Sequence, residues 1–267
     1  KIIYCFHKPL YKRPMRFLLV RHGESEGNVD EQAYITIGDS RIGLTEKGWE
    51  QAEGTGIFLK KLYKDTGTKE WPRIFCSSYP RALQTLGGIH SQIPQNLFEG
   101  KPKIYEDVRL TEQCFGALAH LTYHDDEETK HIAELLTEFS KQAKKAAPLS
   151  ARLPFGESPK DIILHTKNFI DGTLKRDFDE GSEDLLIVCH GAVIKAFLMN
   201  WFHLPMNSWD ELKLPSNGDV IAIEGGSKNW SVTKIYDGTT AKEVSENPIE
   251  DISHICPDTL PQKPEFK

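Results

Sequence analysis

Two histidines occupy matching settings in distant parts of the chain. Arg21-His22-Gly23 follows the apolar run Phe17-Leu18-Leu19-Val20, and His190-Gly191 follows Leu185-Leu186-Ile187-Val188-Cys189. A third run, Arg73-Ile74-Phe75-Cys76, leads into Ser77-Ser78-Tyr79-Pro80-Arg81. If these runs are neighbouring strands, their ends deliver two imidazoles and two guanidiniums to one place. Arginine is a planar fork that stays charged at any working pH. With helix N-termini and one protonated imidazole, such a set suits a dianion, phosphate above all. The other imidazole, neutral, has the lone pair to attack phosphorus and carry the phosphoryl group covalently. Charge spread over the equatorial oxygens of the transition state would then meet the arginines and the imidazolium. Gly23 and Gly191 let the backbone approach a ligand closely.

A departing alkoxide also needs a proton. Glu112, in the segment EDVRLTEQCFG from Glu106 to Gly116, follows a short strand pattern and is the best-placed carboxyl group to give that proton and later to deprotonate water. Glu106 and Asp107 are its rivals.

The elements that must position these groups are readable. Strand patterns cover residues 17–20, 73–76, 104–106, 185–189, 220–224 and 230–235, and helical patterns cover 46–63, 80–90, 125–145, 159–174 and 192–202. This alternation predicts an α/β, three-layer α/β/α sandwich with a mainly parallel sheet, whose strand ends are the expected ligand site. Thr45 is placed to cap one helix, with Gly48 tolerated inside it, and Ser158-Pro159 to start another. Residues 116–155 carry one strongly charged helix, acidic at its start and basic at its end, as the helix dipole favours. They read as a helical insertion over the active site. Residues 1–267 therefore read as a single domain, with 1–14 as an N-terminal extension before Met15 and 238–267 as an irregular C-terminal tail. Lys195, on the helix after His190, reads as a solvated side chain.

The chain has 267 residues and a formal net charge of -6, from 33 basic and 39 acidic side chains. That balance argues against a nucleic-acid binder but leaves room for a small anionic substrate in a locally positive pocket. Five scattered cysteines, with no C-x-x-C pair, argue against a disulfide framework and a structural zinc. Cys76 and Cys189 read as small buried hydrophobes. No run is long enough to span a membrane, and the first residues lack a signal-peptide core. A cytoplasmic, reducing setting is the expectation; oligomeric state is not readable.

LLVRHGESEGN resembles the signature of the histidine phosphatase superfamily, the phosphoglycerate mutase-like proteins. LTEKGWEQA, SSYPRALQT, VRLTEQCFG, Gly156-Glu157-Ser158 and LLIVCHGAVIKAF are similar to further segments of that family, in the family's order, between Phe17 and Ile235. The resemblance implies that His22 is the phosphorylated nucleophile and Glu112 the proton donor and acceptor. It implies a phosphate pocket of Arg21, Arg81 and His190, with the Gly191 backbone beside it and Asn28 donating to a phosphate oxygen. It implies no metal and no other cofactor. Where the family's mutases continue Glu-Arg-x-Tyr-Gly, this chain has Glu112-Gln113-Cys114-Phe115-Gly116. The arginine expected to hold a phosphoglycerate carboxylate is missing, which favours a phosphatase of histidine acid phosphatase type acting on a small phosphorylated substrate. The alternatives are a phosphoglycerate mutase, a fructose 2,6-bisphosphatase without its P-loop partner, or a binding module that holds phosphorylated ligands without turnover. Phe115, Tyr123 and the insertion are the expected seat of specificity.

Overall fold

Along the first strand every side chain from Met15 to Val20 is buried, on both faces. Leu18 and Val20 pack with Leu59, Leu86 and Ile89, whereas Phe17 and Leu19 pack with Ile162, Val193 and Phe197. Successive strand residues point to opposite faces, so an uninterrupted apolar run means a sheet covered on both sides. The computed structural model describes residues 15–116, 126–152, 155–176, 184–226, 229–250, 252 and 254. The stretch 1–14 and Tyr123 lie outside the described residues.

Among the described residues, seven strands form one sheet: β1 (Met15–Arg21), β2 (Arg73–Cys76), β3 (Lys103–Glu106), β4 (Asp184–Cys189), β5 (Val220–Gly226), β6 (Asn229–Asp237) and β7 (Lys242–Glu246), in the order β3-β2-β4-β1-β5-β6-β7. The first four in that order run parallel. The last three are antiparallel additions, so the sheet is mixed and its parallel half is the half that carries the histidines. Helices α1 (Glu46–Asp65) and α2 (Pro80–Gln92) cover one face, and α4 (Pro159–Phe169) and α5 (Gly191–Trp201) the other.

The local signals explain these boundaries. Thr45 Oγ1 accepts from the Gly48 amide at 3.0 Å, satisfying one orphan donor of α1. Pro80 and Pro159 occupy the first turns of α2 and α4, where a missing N–H costs nothing. Helix α3 (Glu127–Ala146) forms inside the predicted insertion, capped by Asp126, and only its Ala133 and Ser140 are buried.

Two expectations are corrected. Residues 238–267, expected to be irregular, contain β7, which pairs with β6. Its side chains are mostly exposed, so backbone pairing holds it and no apolar alternation announces it. Lys195 is not solvated: it is 8 % exposed, with its ammonium 4.7 Å from the centre of the Trp209 ring. Burial lowers its pKa. Among the described residues no helix is long and apolar enough to cross a membrane.

Candidate active site

The parallel register sets the ends of β1, β4 and β2 side by side. Arg21 pairs with Cys189, Cys76 with Val188, and the ladder continues past the strands through His22 N–H to the Cys189 carbonyl and Ser77 N–H to the Val188 carbonyl, both 3.0 Å. The next side chains therefore meet above the sheet. The His22 and His190 rings lie 5.0 Å apart, centre to centre, at 62°. Arg81 is 1 %, His22 3 % and His190 0 % exposed.

His22 is held by one decisive contact. Its Nδ1 lies 2.7 Å from the Gly23 carbonyl oxygen. A carbonyl only accepts, so Nδ1 carries the hydrogen and Nε2 keeps its lone pair. Burial pushes the His22 pKa well below its ordinary value, and the Arg81 and Arg21 guanidiniums push the same way. His190 is also driven down, by burial and then by His22, Arg81 and Arg21. The imidazolium expected at one of the two histidines is thus disfavoured in the free chain, because desolvation and two nearby cations oppose a third positive charge.

His190 Nε2 lies 2.7 Å from Ser77 Oγ, leaving Nδ1 buried and without a hydrogen-bond partner among the described residues. The same holds for Arg21 Nε, although Arg21 Nη1 donates to the Pro215 carbonyl at 2.5 Å. Gly191 permits this crowding: a Cβ there would sit 3.6 Å from Arg21 Nε and 2.9 Å from Leu214 Cδ2. Two buried nitrogens with no partner, beside the N-terminus of α5, are what an anion would satisfy.

Arg81 faces the same space from the first turn of α2, with its guanidinium 4.8 Å from the Tyr79 ring centre. It donates through Nη1 to the Asp39 carbonyl at 2.7 Å, and Nη2 is 2.8 Å from Asp39 Oδ1 as a charge contact. Glu112 is coupled electrostatically to Arg21 and Arg81 and accepts from the Ala192 amide, but burial is the largest influence and raises its pKa. Its rivals are placed otherwise. Asp107 is clamped by Arg109, through Nε at 2.9 Å and Nη2 at 2.5 Å, and Glu106 is exposed. Asn28 is exposed. Its Oδ1 accepts from the Ser25 amide, Ser25 Oγ and Asn217 Nδ2, each at 3.1 Å. The buried Cys76 thiol is pushed up to about 12 by burial, which leaves it unreactive.

Sequence reasoning missed four residues here. Ser77 and Tyr79 flank His190, the Tyr79 ring centre 5.3 Å from the imidazole. Asp39 pairs with Arg81, and Tyr34 is coupled to Arg81, Asp39, Glu112 and Arg21. Ser77 and Tyr79 were legible as neighbours of Arg81. Nothing local marks Tyr34 or Asp39, which the tertiary fold brings to Arg81.

The fold and this histidine pair define an α/β protein that gathers two histidines and two arginines at the carboxyl ends of parallel strands. Residues 17–238 match the histidine phosphatase superfamily (branch 1), and the chain belongs to that family. It is 32% identical over 223 residues to phosphoglycerate mutase-like protein AT74 of Arabidopsis thaliana, covering 80% of this chain and 66% of that protein. It is 23% identical over 299 residues to the broad-range acid phosphatase DET1 of Saccharomyces cerevisiae, covering 79% of this chain and 86% of that one. Among solved structures, the alpha-ribazole phosphatase of Shigella flexneri shares the fold with a TM-score of 0.59 at 23% identity, over 82% of this chain and 95% of that one. The chain thus has both phosphatase and mutase-like relatives.

Proposed function

We propose that the chain is a phosphomonoester hydrolase that works through a phosphohistidine at His22. The observation that carries this reading is the His22 Nδ1 contact with the Gly23 carbonyl, which leaves the Nε2 lone pair for attack beside Arg21, Arg81 and His190. In the first step Nε2 bonds to phosphorus as the ester P–O bond breaks. The electron pair leaves on the alkoxide oxygen, which takes a proton from Glu112. The raised Glu112 pKa favours the protonated form this step needs. In the second step Glu112 accepts a proton from water as the water oxygen bonds to phosphorus, and the N–P bond breaks and returns its pair to Nε2. Arg21, Arg81 and the Nδ1 hydrogen of His190 hold the equatorial oxygens, with the Gly191 backbone and the Asn28 amide nitrogen as further donors.

Hydrolysis is favoured over mutase chemistry by Gln113. It is neutral, and its Nε2 donates to the Glu157 carbonyl at 2.9 Å, so it offers no charge to a substrate carboxylate. The segment 116–155 leaves and returns beside Glu112, pinned by the Glu157 amide on the Cys114 carbonyl at 2.8 Å. We assign it, with the half-exposed Phe115, to shaping the pocket for a small phosphorylated substrate.

Rapid quenching with a ³²P-labelled phosphomonoester tests the mechanism. The expected label is acid-labile and base-stable, present in the wild type and absent in His22→Ala. Turnover that survives His22→Ala overturns the reading. Incubation with 3-phosphoglycerate separates the two activities: free phosphate supports hydrolysis, and isomerised phosphoglycerate refutes it.

A further inference from the structure

We infer that Ser77 is a positioning residue that fixes the tautomer of His190, so that the neutral imidazole presents its Nδ1 hydrogen to the phosphoryl group. The inference rests on the phosphohistidine reading of the same site and adds to it the means by which an uncharged histidine serves there as a donor.

Ser77 is 0 % exposed. Among the described residues its Oγ has two partners: the Tyr79 amide, which donates to it at 3.3 Å, and His190 Nε2 at 2.7 Å. A hydroxyl has one hydrogen. The Tyr79 amide can only donate, so His190 Nε2 is the acceptor left for that hydrogen. Were Nε2 protonated instead, the serine hydrogen would be buried with no acceptor, a cost of about 1–3 kcal/mol. With Ser77 donating to Nε2, the neutral ring carries its hydrogen on Nδ1, the buried atom that has no partner among the described residues. The relay runs from the Tyr79 amide to Ser77 Oγ, from Ser77 to His190 Nε2, and from His190 Nδ1 to the anion.

The surroundings of His190 make a neutral donor useful. Arg21 and His22 face it from the end of β1, and Arg81 and Tyr79 from the start of α2. Glu112 is engaged electrostatically with the two arginines. A fourth donor is obtained here without a further charge, and it stays a donor above the pH at which an imidazolium would be lost.

The experiment uses the full chain and p-nitrophenyl phosphate. Ser77→Ala should lower kcat by about 10- to 100-fold at pH 7.5, the size seen when the partner that orients a metal-binding histidine is removed, with a smaller change in KM. The deficit should shrink as the pH falls, because protonation puts a hydrogen on Nδ1 whatever Nε2 does. Ser77→Thr, which keeps the hydroxyl, should restore the wild-type pH profile. A deficit uniform across pH, or no deficit, overturns the inference. Should Ser77→Ala not fold, Ser77→Cys, with its weak donor, is judged by the same pH criterion. Labelling of His22 in the wild type separates the two claims. If the label forms and the Ser77 variants behave like wild type, the tautomer assignment fails alone. If the wild type forms no label, the phosphohistidine reading fails first.

Discussion

Gly48→Ala is the substitution for which local and tertiary reasoning disagree most sharply. In the interior of an exposed helix, alanine is better than glycine by up to about 1 kcal/mol, so local reasoning predicts a gain. In the fold, a Cβ at Gly48 would lie 1.9 Å from the Glu24 carbonyl oxygen and 3.0 Å from the Glu24 amide nitrogen. Gly23, in the same segment as Glu24, is equally close, since a Cβ there would lie 2.3 Å from the Gly48 carbonyl oxygen. The obstacle is backbone, which cannot rotate away, and relief needs a shift of about 1 Å. Overpacking of this kind costs about 1–3 kcal/mol. Taking the upper figure and subtracting the propensity gain leaves a net loss of about 2 kcal/mol, or about 4–8 °C in Tm for a chain of this size. The displaced segment is the one whose Gly23 carbonyl holds His22 Nδ1, and a misplacement near 1 Å costs about 100-fold in rate. Scanning calorimetry and steady-state kinetics check both figures. An unchanged or raised Tm with full activity would falsify the claim that close backbone contact places His22.

Two further outcomes follow from the titrating groups. Glu112→Gln should slow hydrolysis of an alkyl phosphate by about 10²–10⁴-fold but affect p-nitrophenyl phosphate far less, because its leaving group needs no proton. Equal losses on both substrates would remove Glu112 from the role of acid. Because burial depresses the pKa of both His22 and His190, the unfolded chain binds more protons than the folded one as the pH falls through about 6.5. The neutral pair's contribution to stability is therefore present above that pH and is lost on acidification. The Tm of the free protein should fall between pH 7 and 5.5, and His190→Gln should flatten that slope. An identical slope in the variant would show that other groups dominate.

The parallel half of the sheet was legible because its signals are local. Phe17 to Val20, and Leu185 to Cys189, are apolar on both faces and end at charged residues and glycine, while Pro80 and Pro159 mark helix starts. β7 was not legible, because an exposed strand held by backbone pairing leaves no side-chain pattern. The burial of Lys195 is not visible in its side-chain type, because the Trp209 ring against its ammonium belongs to a later segment. Tyr34 and Asp39 lie in the short helical turns Tyr34–Gly38 and Asp39–Arg41, whose sequence carries no sign that Asp39 meets Arg81.

By itself, the sequence determined which reactive side chains stand at strand ends, and in what order, because strand length, helix starts and glycine placement depend on neighbouring residues. The tertiary structure alone decided their states. Ser77 meets His190 across 113 positions of chain, and Arg81 meets Asp39 across 42. The nitrogen of His190 that keeps its hydrogen depends on a hydroxyl brought there by strand register, whereas His22 finds its acceptor in the carbonyl of the next residue, Gly23. The depressed pKa values depend on burial among cations from separate elements, and both are properties of the packed chain.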